Sequence, residues 1–302
     1  MNNDHQPKHR KLWSGLASDD ADAEVGILGI PYEGAASFRK GTAQAPARIR
    51  SLTPHAAPYT ESGRALSGLR VRDLENVDIS GDWSAVHDRI AERVEGLLKH
   101  PFAIVLGGDH SVTIPVFRTF SETVPGPLGY LHLDAHLDLM PSFEGRTWSH
   151  ACTARRVLEA ASISPEHAVF MGIRSWLGEE IAYLRDHPEM QVLTASAIAE
   201  GDMPSLVTSA LAPLQSAASV YVTIDIDVLD PAFAPGTGTP EAGGLSTRDL
   251  LRILRLAFEH LPIRALDVVE VSPPLDASDI TSFAVVKLLY EVFGWIKERN
   301  IR

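Results

Sequence analysis

The sequence predicts an α/β protein built on one largely parallel sheet of about eight strands, with helices on both faces. Three observations lead there. Short apolar runs of the kind buried on both faces, such as Val25 to Ile30 and Phe102 to Leu106, alternate with stretches of helical periodicity along the chain. No repeat at fixed period and no linker-like stretch divides the chain. With 302 residues, 45% of them hydrophobic, it is long enough to bury one large core.

Residues 1–24 are polar and read as a mobile arm, with Trp13 the one residue there able to dock on the body or on a neighbouring subunit. A single catalytic domain is expected over 25–302. Its first strand, Val25 to Ile30, runs into the Gly-rich loop Pro31 to Gly41, which is not G-x-G-x-x-G and so gives no dinucleotide site. Ala45-Pro46 opens a helix with proline in its first turn. Val71 to Ile79 is expected as an edge strand. Trp83 to Lys99 carries Val86, Ile90, Val94, Leu97 and Leu98 near helical spacing. Phe102 to Leu106 leads into Gly107-Gly108-Asp109-His110-Ser111, then a helix over Val112 to Phe120. Leu128 to Leu133 is a strand, and Ser149 to Ala161 a helix. Ala168 to Ile173, Gln191 to Leu193, Ser219 to Ile224 and Ala265 to Val269 are further strands, separated by helices over Glu179 to Arg185, Met203 to Leu211 and Leu250 to His260. Ser246-x-x-Asp249 is a capping-box variant before the last of these. Thr281 to Glu298 closes the chain as a helix.

Composition excludes several classes. No run of 18 apolar residues exists, so no membrane span is expected, and the first residues lack the apolar stretch of a secretion signal. A cytoplasmic location follows as the expectation. The single cysteine, Cys152, allows no intramolecular disulfide. A net charge of −12 argues against nucleic acid as a partner and is compatible with a cationic substrate.

The chemistry concentrates at three strand ends: His110, then Asp134-x-His136-x-Asp138, then Asp225-x-Asp227. In parallel α/β sheets ligands bind beyond the carboxyl ends of the strands, and every one of these residues sits there. Four ionised aspartates in one pocket repel one another, at ~4 kcal/mol per pair for ~4 Å and an effective dielectric of about 20. Bound cations relieve this at neutral pH. Two dications balance four carboxylates, and two imidazoles add neutral nitrogen ligands; such an oxygen-rich set favours manganese. A metal pair also makes water nucleophilic near neutrality. Glu270, at another strand end, adds a negative charge that suits a guanidinium. His150 is a candidate proton shuttle, a task to which histidine is the side chain best suited near neutral pH. His132, like His55, His87, His100, His167, His187 and His260, reads as a core histidine bonded to backbone. A Cys152–His150 nucleophile lacks an orienting third residue, and no G-x-S-x-G supports a serine hydrolase.

These motifs, with Asp225-Ile226-Asp227-Val228-Leu229-Asp230-Pro231 and its continuation to Glu241, resemble the ureohydrolases, the family of arginases and agmatinases. The resemblance runs from about Gly29 to Gly294. It implies a three-layer α/β/α fold, two Mn²⁺ per chain, release of urea from a small guanidino compound, and homotrimers or homohexamers. It also implies ligand sets: His110, Asp134, Asp138 and Asp225 for one ion; Asp134, His136, Asp225 and Asp227 for the other. Asp138 would pass a proton to the leaving amine, Glu270 would bind the guanidinium and His150 would relay protons.

The loop Leu139 to Cys152 looks more like agmatinase loops than arginase ones, although Met140-Pro141 replaces a more polar pair and Ala151 a common glycine. Agmatine, hydrolysed to putrescine and urea, is therefore the expected substrate. Glu144 could hold a distal ammonium, whereas Arg146 could hold a carboxylate and so favour guanidinobutyrate or guanidinopropionate. Arginase and formimidoylglutamase specificities remain alternatives within the family. Outside it stand a one-metal zinc amidohydrolase, against which His110 argues by supplying a ligand for a second ion, and a non-enzymatic metal-binding homologue, against which the complete residue set argues.

Overall fold

In the computed structural model, described for residues 12–299, the apolar runs become eight strands. They are β1 Val25–Gly29, β2 Val71–Asn76, β3 Phe102–Leu106, β4 Leu128–Leu133, β5 Ile163–Ile173, β6 Gln191–Thr194, β7 Ser219–Asp225 and β8 Ile263–Val269. All pair in parallel in one sheet of order β2-β1-β3-β8-β7-β4-β5-β6. The expected fold class is thus the observed one. Inner strands β1, β3 and β4 are buried at every position, as sheets covered on both faces require.

Alternate residues of each strand feed opposite cores. Ile104 and Leu106 of β3 join Ile27, Leu131, Val222 and Leu266 on one face; Ala103 and Val105 join Leu28, Tyr130, Phe170 and Tyr221 on the other. The connecting helices are α1 Ala45–Leu52, α2 Trp83–Leu97, α3 Thr113–Thr123, α4 Thr153–Val157, α5 Gly178–Asp186, α6 Ala195–Glu200, α7 Met203–Leu211, α8 Thr247–His260 and α9 Ile280–Arg299. The first core packs against α1 and α6–α9, the second against α2–α5. The capping box forms at the start of α8: Ser246 Oγ accepts from the Asp249 amide, and the Asp249 carboxylate accepts from the Ser246 amide.

Three expectations need correction. The helix expected over Ser149 to Ala161 is a 3-10 turn, His150–Cys152, followed by five residues of α4; the chain turns after Leu158 to enter β5, which begins five residues earlier than its apolar run. The short α6 carries too few apolar positions for its periodicity to register. Finally, the mobile arm does not extend to residue 24. Trp13 is fully buried edge-on against Phe293, its amide donates to Thr53 Oγ1, and its indole nitrogen donates to Asp73 Oδ2 at 2.9 Å. The rest of the expected arm, residues 1–11, lies outside the described residues.

The order β3-β8-β7-β4 at the middle of the sheet decides where chemistry occurs. These four adjacent strands end in the segments carrying His110, Glu270, Asp225 and Asp134 respectively.

Candidate metal centre

Each ligand segment leaves its strand in a locally satisfied turn. After β3, a Cβ on Gly108 would lie 1.8 Å from the Tyr32 carbonyl oxygen, so only glycine allows the turn. Asp109 caps that turn, its Oδ1 accepting from the amide and hydroxyl of Ser111 and its Oδ2 from the Ala35 amide; it is a structural residue. After β4, Asp134 Oδ1 accepts from the His136 amide at 2.6 Å. After β7, Asp225 Oδ1 accepts from the Asp227 amide at 2.9 Å. The two carboxylate-bearing turns are joined where the Ala135 amide donates to Asp227 Oδ1 at 3.1 Å.

All six expected residues converge. His110 Nδ1 lies 2.9 Å from Asp138 Oδ2, 3.1 Å from Asp134 Oδ2 and 3.3 Å from Asp225 Oδ2. His136 Nδ1 lies 3.1 Å from Asp227 Oδ2 and 3.4 Å from Asp134 Oδ1. Donor atoms of His110, His132, Asp134 and Asp138 fall within 4.8 Å of one another, as do those of Asp134, His136 and Asp227. Despite this crowding, His110 Nδ1 and Asp134 Oδ2 are buried without a hydrogen bond of acceptable geometry. Buried polar atoms are nearly always paired, and lone pairs that converge without pairing suit a shared cation. The residues fit a metal.

The surroundings of His110 set its tautomer. The Thr223 hydroxyl donates to Asp267 Oδ1 at 2.5 Å, so it accepts from His110 Nε2 at 2.9 Å, which leaves Nδ1 free to coordinate. Asp267 is itself fully buried, with Oδ2 accepting from Thr113 Oγ1 at 2.7 Å and Tyr221 OH at 2.6 Å.

Electrostatics argue the same way. Burial, then the neighbouring Asp227 and Asp134, push Asp225 well above the usual carboxylate range. Burial and Asp134 also push Asp227 up. Burial would raise Asp134 too, but His132, His110 and His136 outweigh it and hold Asp134 well below that range. Burial alone would lower His110, yet the carboxylates of Asp134, Asp138 and Asp225 raise it well above an ordinary histidine. Protons and cations therefore compete for the same lone pairs.

Two of the expected catalytic carboxylates adopt a backbone that non-glycine residues rarely adopt: φ is +54° at Asp138 and +62° at Glu270. Glu270 is buried, with Oε1 accepting from the His110 amide at 2.8 Å. Burial, then Asp109, push it well above the usual carboxylate range. His150 Nε2 meets Ser37 Oγ at 2.9 Å, and His150 and Glu270 face a narrow cleft also lined by Phe38, Arg39, Gly238 and Thr239. Glu144 and Arg146 are not brought to this cleft. Glu144 stands exposed at the tip of a tight turn, and Arg146 donates to the Gly34 carbonyl.

Sequence reasoning missed four residues. His132, read as a core histidine, does bond Tyr130 OH and the His136 carbonyl, but its Nε2 also lies 3.0 Å from Asp134 Oδ2. Its spacing of two from Asp134 along an extended chain was the available signal. Thr223, two before Asp225, carried the same signal, and Asp267 is its register partner in the next strand. Arg174, whose guanidinium donates to the backbone carbonyls of Asp227 and Glu241, had none, because any residue can supply a carbonyl.

Fold and site together define a hydrolase of one family. The chain belongs to the arginase family, whose model matches residues 23–294. It is 36% identical to an agmatinase of Bacillus anthracis over 91% of this chain and 93% of that one. It is 30% identical to a guanidinopropionase of Pseudomonas aeruginosa over 94% of this chain and 90% of that one. The solved structure of proclavaminate amidino hydrolase from Streptomyces clavuligerus superposes with a TM-score of 0.82 at 33% identity, covering 91% of this chain and 92% of that one. Among the described residues no helix is long and apolar enough to cross a membrane.

Proposed function

We propose that this arginase-family hydrolase splits agmatine into putrescine and urea with two manganese ions. One observation carries the reading: imidazole nitrogens of His110 and His136 and the carboxylates of Asp134, Asp138, Asp225 and Asp227 converge at the ends of the central strands, with buried lone pairs left unpaired. His110, Asp134, Asp138 and Asp225 would hold one ion, and Asp134, His136, Asp225 and Asp227 the other. Bound there, the ions supply Lewis acidity that makes water nucleophilic at neutral pH.

The protein's own residues do the rest. Glu270, forced towards its neutral form by burial, regains its charge beside a cation, so it binds and orients the guanidinium. Asp138 holds a proton released by the attacking water and delivers it to the amine nitrogen, which leaves poorly unless protonated. His150, hydrogen-bonded to Ser37 at the cleft, exchanges protons with solvent. The walls of the narrow cleft limit water around the reacting carbon.

A second substrate class has a specific observation in its favour. Arg39 lines the cleft together with Glu270 and His150, and Glu144 does not. A cation at the mouth favours guanidinobutyrate or guanidinopropionate over a substrate with a distal ammonium. Urea release from agmatine, guanidinobutyrate, guanidinopropionate and arginine after manganese loading decides. The highest kcat/KM with agmatine supports the first reading, preference for an acid supports the second, and no urea from any overturns both.

A further inference from the structure

We propose that Arg174 is a positioning residue: it holds the His136 end of the cluster in register by fixing Asp227 and Glu241 against the two nitrogens of His136. The inference rests on the metal reading above.

Arg174 immediately follows β5, outside the ligand motifs. Its amide and that of Ser175 both donate to the Ala135 carbonyl, at 2.9 and 3.0 Å, between the ligands Asp134 and His136. Its guanidinium reaches a second segment, donating from Nη2 to the carbonyls of Asp227 at 2.6 Å and Leu229 at 3.3 Å, and from Nη1 to that of Val228 at 3.3 Å. A third segment arrives at the same fork: the Glu241 carbonyl accepts from Nη2 at 2.7 Å and from Nε at 3.3 Å. Three stretches thus meet on one residue, the first through its backbone amide and the other two through its guanidinium. Carbonyls that converge in this way need a planar cationic fork, which an ammonium cannot reproduce. The backbone makes room for it, since a Cβ on Gly244 would lie 2.6 Å from Arg174 Nη2.

The consequence falls on His136. Asp227 Oδ2 stands 3.1 Å from its Nδ1, and Glu241 Oε1 stands 3.8 Å from its Nε2 while accepting from Ser175 Oγ at 3.2 Å. A histidine ligand is oriented, and made a better donor, when its second nitrogen faces a carboxylate. His136 lies 27% exposed, and among the described residues its outer nitrogen faces a carboxylate and not a hydrogen-bonded hydroxyl, so this clamp places it by charge where Thr223 and Asp267 hold His110 by hydrogen bonds.

The test is calorimetric titration of the chelator-stripped chain with manganese, comparing wild type, Arg174→Lys, Glu241→Gln and the reference His136→Ala. Both test variants should weaken the binding step that His136→Ala abolishes, by about tenfold to a hundredfold for Arg174→Lys, and leave the other step unchanged. A folded Arg174→Lys chain with both steps intact and only a lower unfolding temperature would make Arg174 merely structural and overturn the proposal. If Arg174→Lys does not fold, Glu241→Gln decides, because that side chain is 42% exposed; unchanged binding there overturns the proposal as well. Wild type that binds no metal overturns the metal reading and this inference together, whereas wild type that binds two ions regardless of the variants overturns this inference alone.

Discussion

His110 and His136 grip the same acidic cluster from opposite ends, and they are held by different means. The His110 side chain is 1% exposed, stacks on His132 at a centroid distance of 5.2 Å, and has its outer nitrogen fixed by a hydroxyl that is itself fixed by a buried carboxylate. Thr223 and Asp267 are direct neighbours in the β7–β8 register, so the sheet sets this geometry. His136 stands on a loop, and its surroundings come from carbonyls gathered by Arg174. A ligand backed by strands inherits its position from strand pairing; a ligand on a loop needs a dedicated clamp. Substitutions that act on one end and spare the other would sharpen this contrast.

The largest effect is expected where the ends share a ligand. Asp225→Ala removes a carboxylate close to His110 and, in the proposed ligand sets, common to both ions. Turnover should fall by roughly a thousandfold or more, and metal content after dialysis should fall at both ends. Retention of one full equivalent of manganese would show that the ends bind independently.

Next in size is Asp138→Asn. The amide still offers an oxygen to a cation but cannot carry the proton to the leaving amine, so kcat should drop by about a hundredfold to ten-thousandfold while part of the metal stays bound. Steady-state urea release with parallel metal analysis checks this. Near-normal turnover would remove Asp138 from the proton path.

Thr223→Val is the counterpart at the buried end. It keeps the volume and deletes the hydroxyl between His110 and Asp267. Metal affinity at the His110 end should fall about tenfold to a hundredfold, with the His136 end unaffected. Equal losses at both ends, measured by titration, would mean that the cluster responds as one body and that the contrast is false.

What the sequence revealed follows the same division. The sheet was legible because strands buried on both faces must be continuous apolar runs, and the ligands were legible because three clusters of Asp and His stop such runs. The supporting layer was only half visible. His132 and Thr223 lie two residues before Asp134 and Asp225, so alternation along a strand pointed to them. Asp267 required knowledge that β8 inserts between β3 and β7, which no local pattern encodes. Arg174 works on carbonyls, and any residue can supply a carbonyl. The docking of Trp13 was legible as a lone large aromatic in a polar stretch, and it is buried against Phe293; the turn that carries it was not, because one tryptophan provides no period.

The smallest effect tests whether the buried end is as closed as its hydrogen bonds suggest. Cys152 is the chain's single cysteine, so thiol labelling reports on one position. It is fully buried in the turn after His150, and its Sγ is directed to the Arg146 carbonyl at 3.8 Å. Burial, then the nearby Asp138 carboxylate, push the thiol up to about 11. At pH 8 roughly a thousandth of it would be thiolate, the reactive form. Native protein should therefore resist iodoacetamide at pH 8, with stoichiometric labelling only in denaturant, as intact-mass measurement would record. Stripping the metal should leave Cys152 protected if the turn between Asp138 and α4 is held by the fold, because the Arg155 amide bonds the Asp138 carbonyl and Thr153 Oγ1 bonds the carbonyls of His110 and His150. Labelling that begins as soon as chelator is added would show instead that the ions hold this end together and that strand-borne placement alone does not.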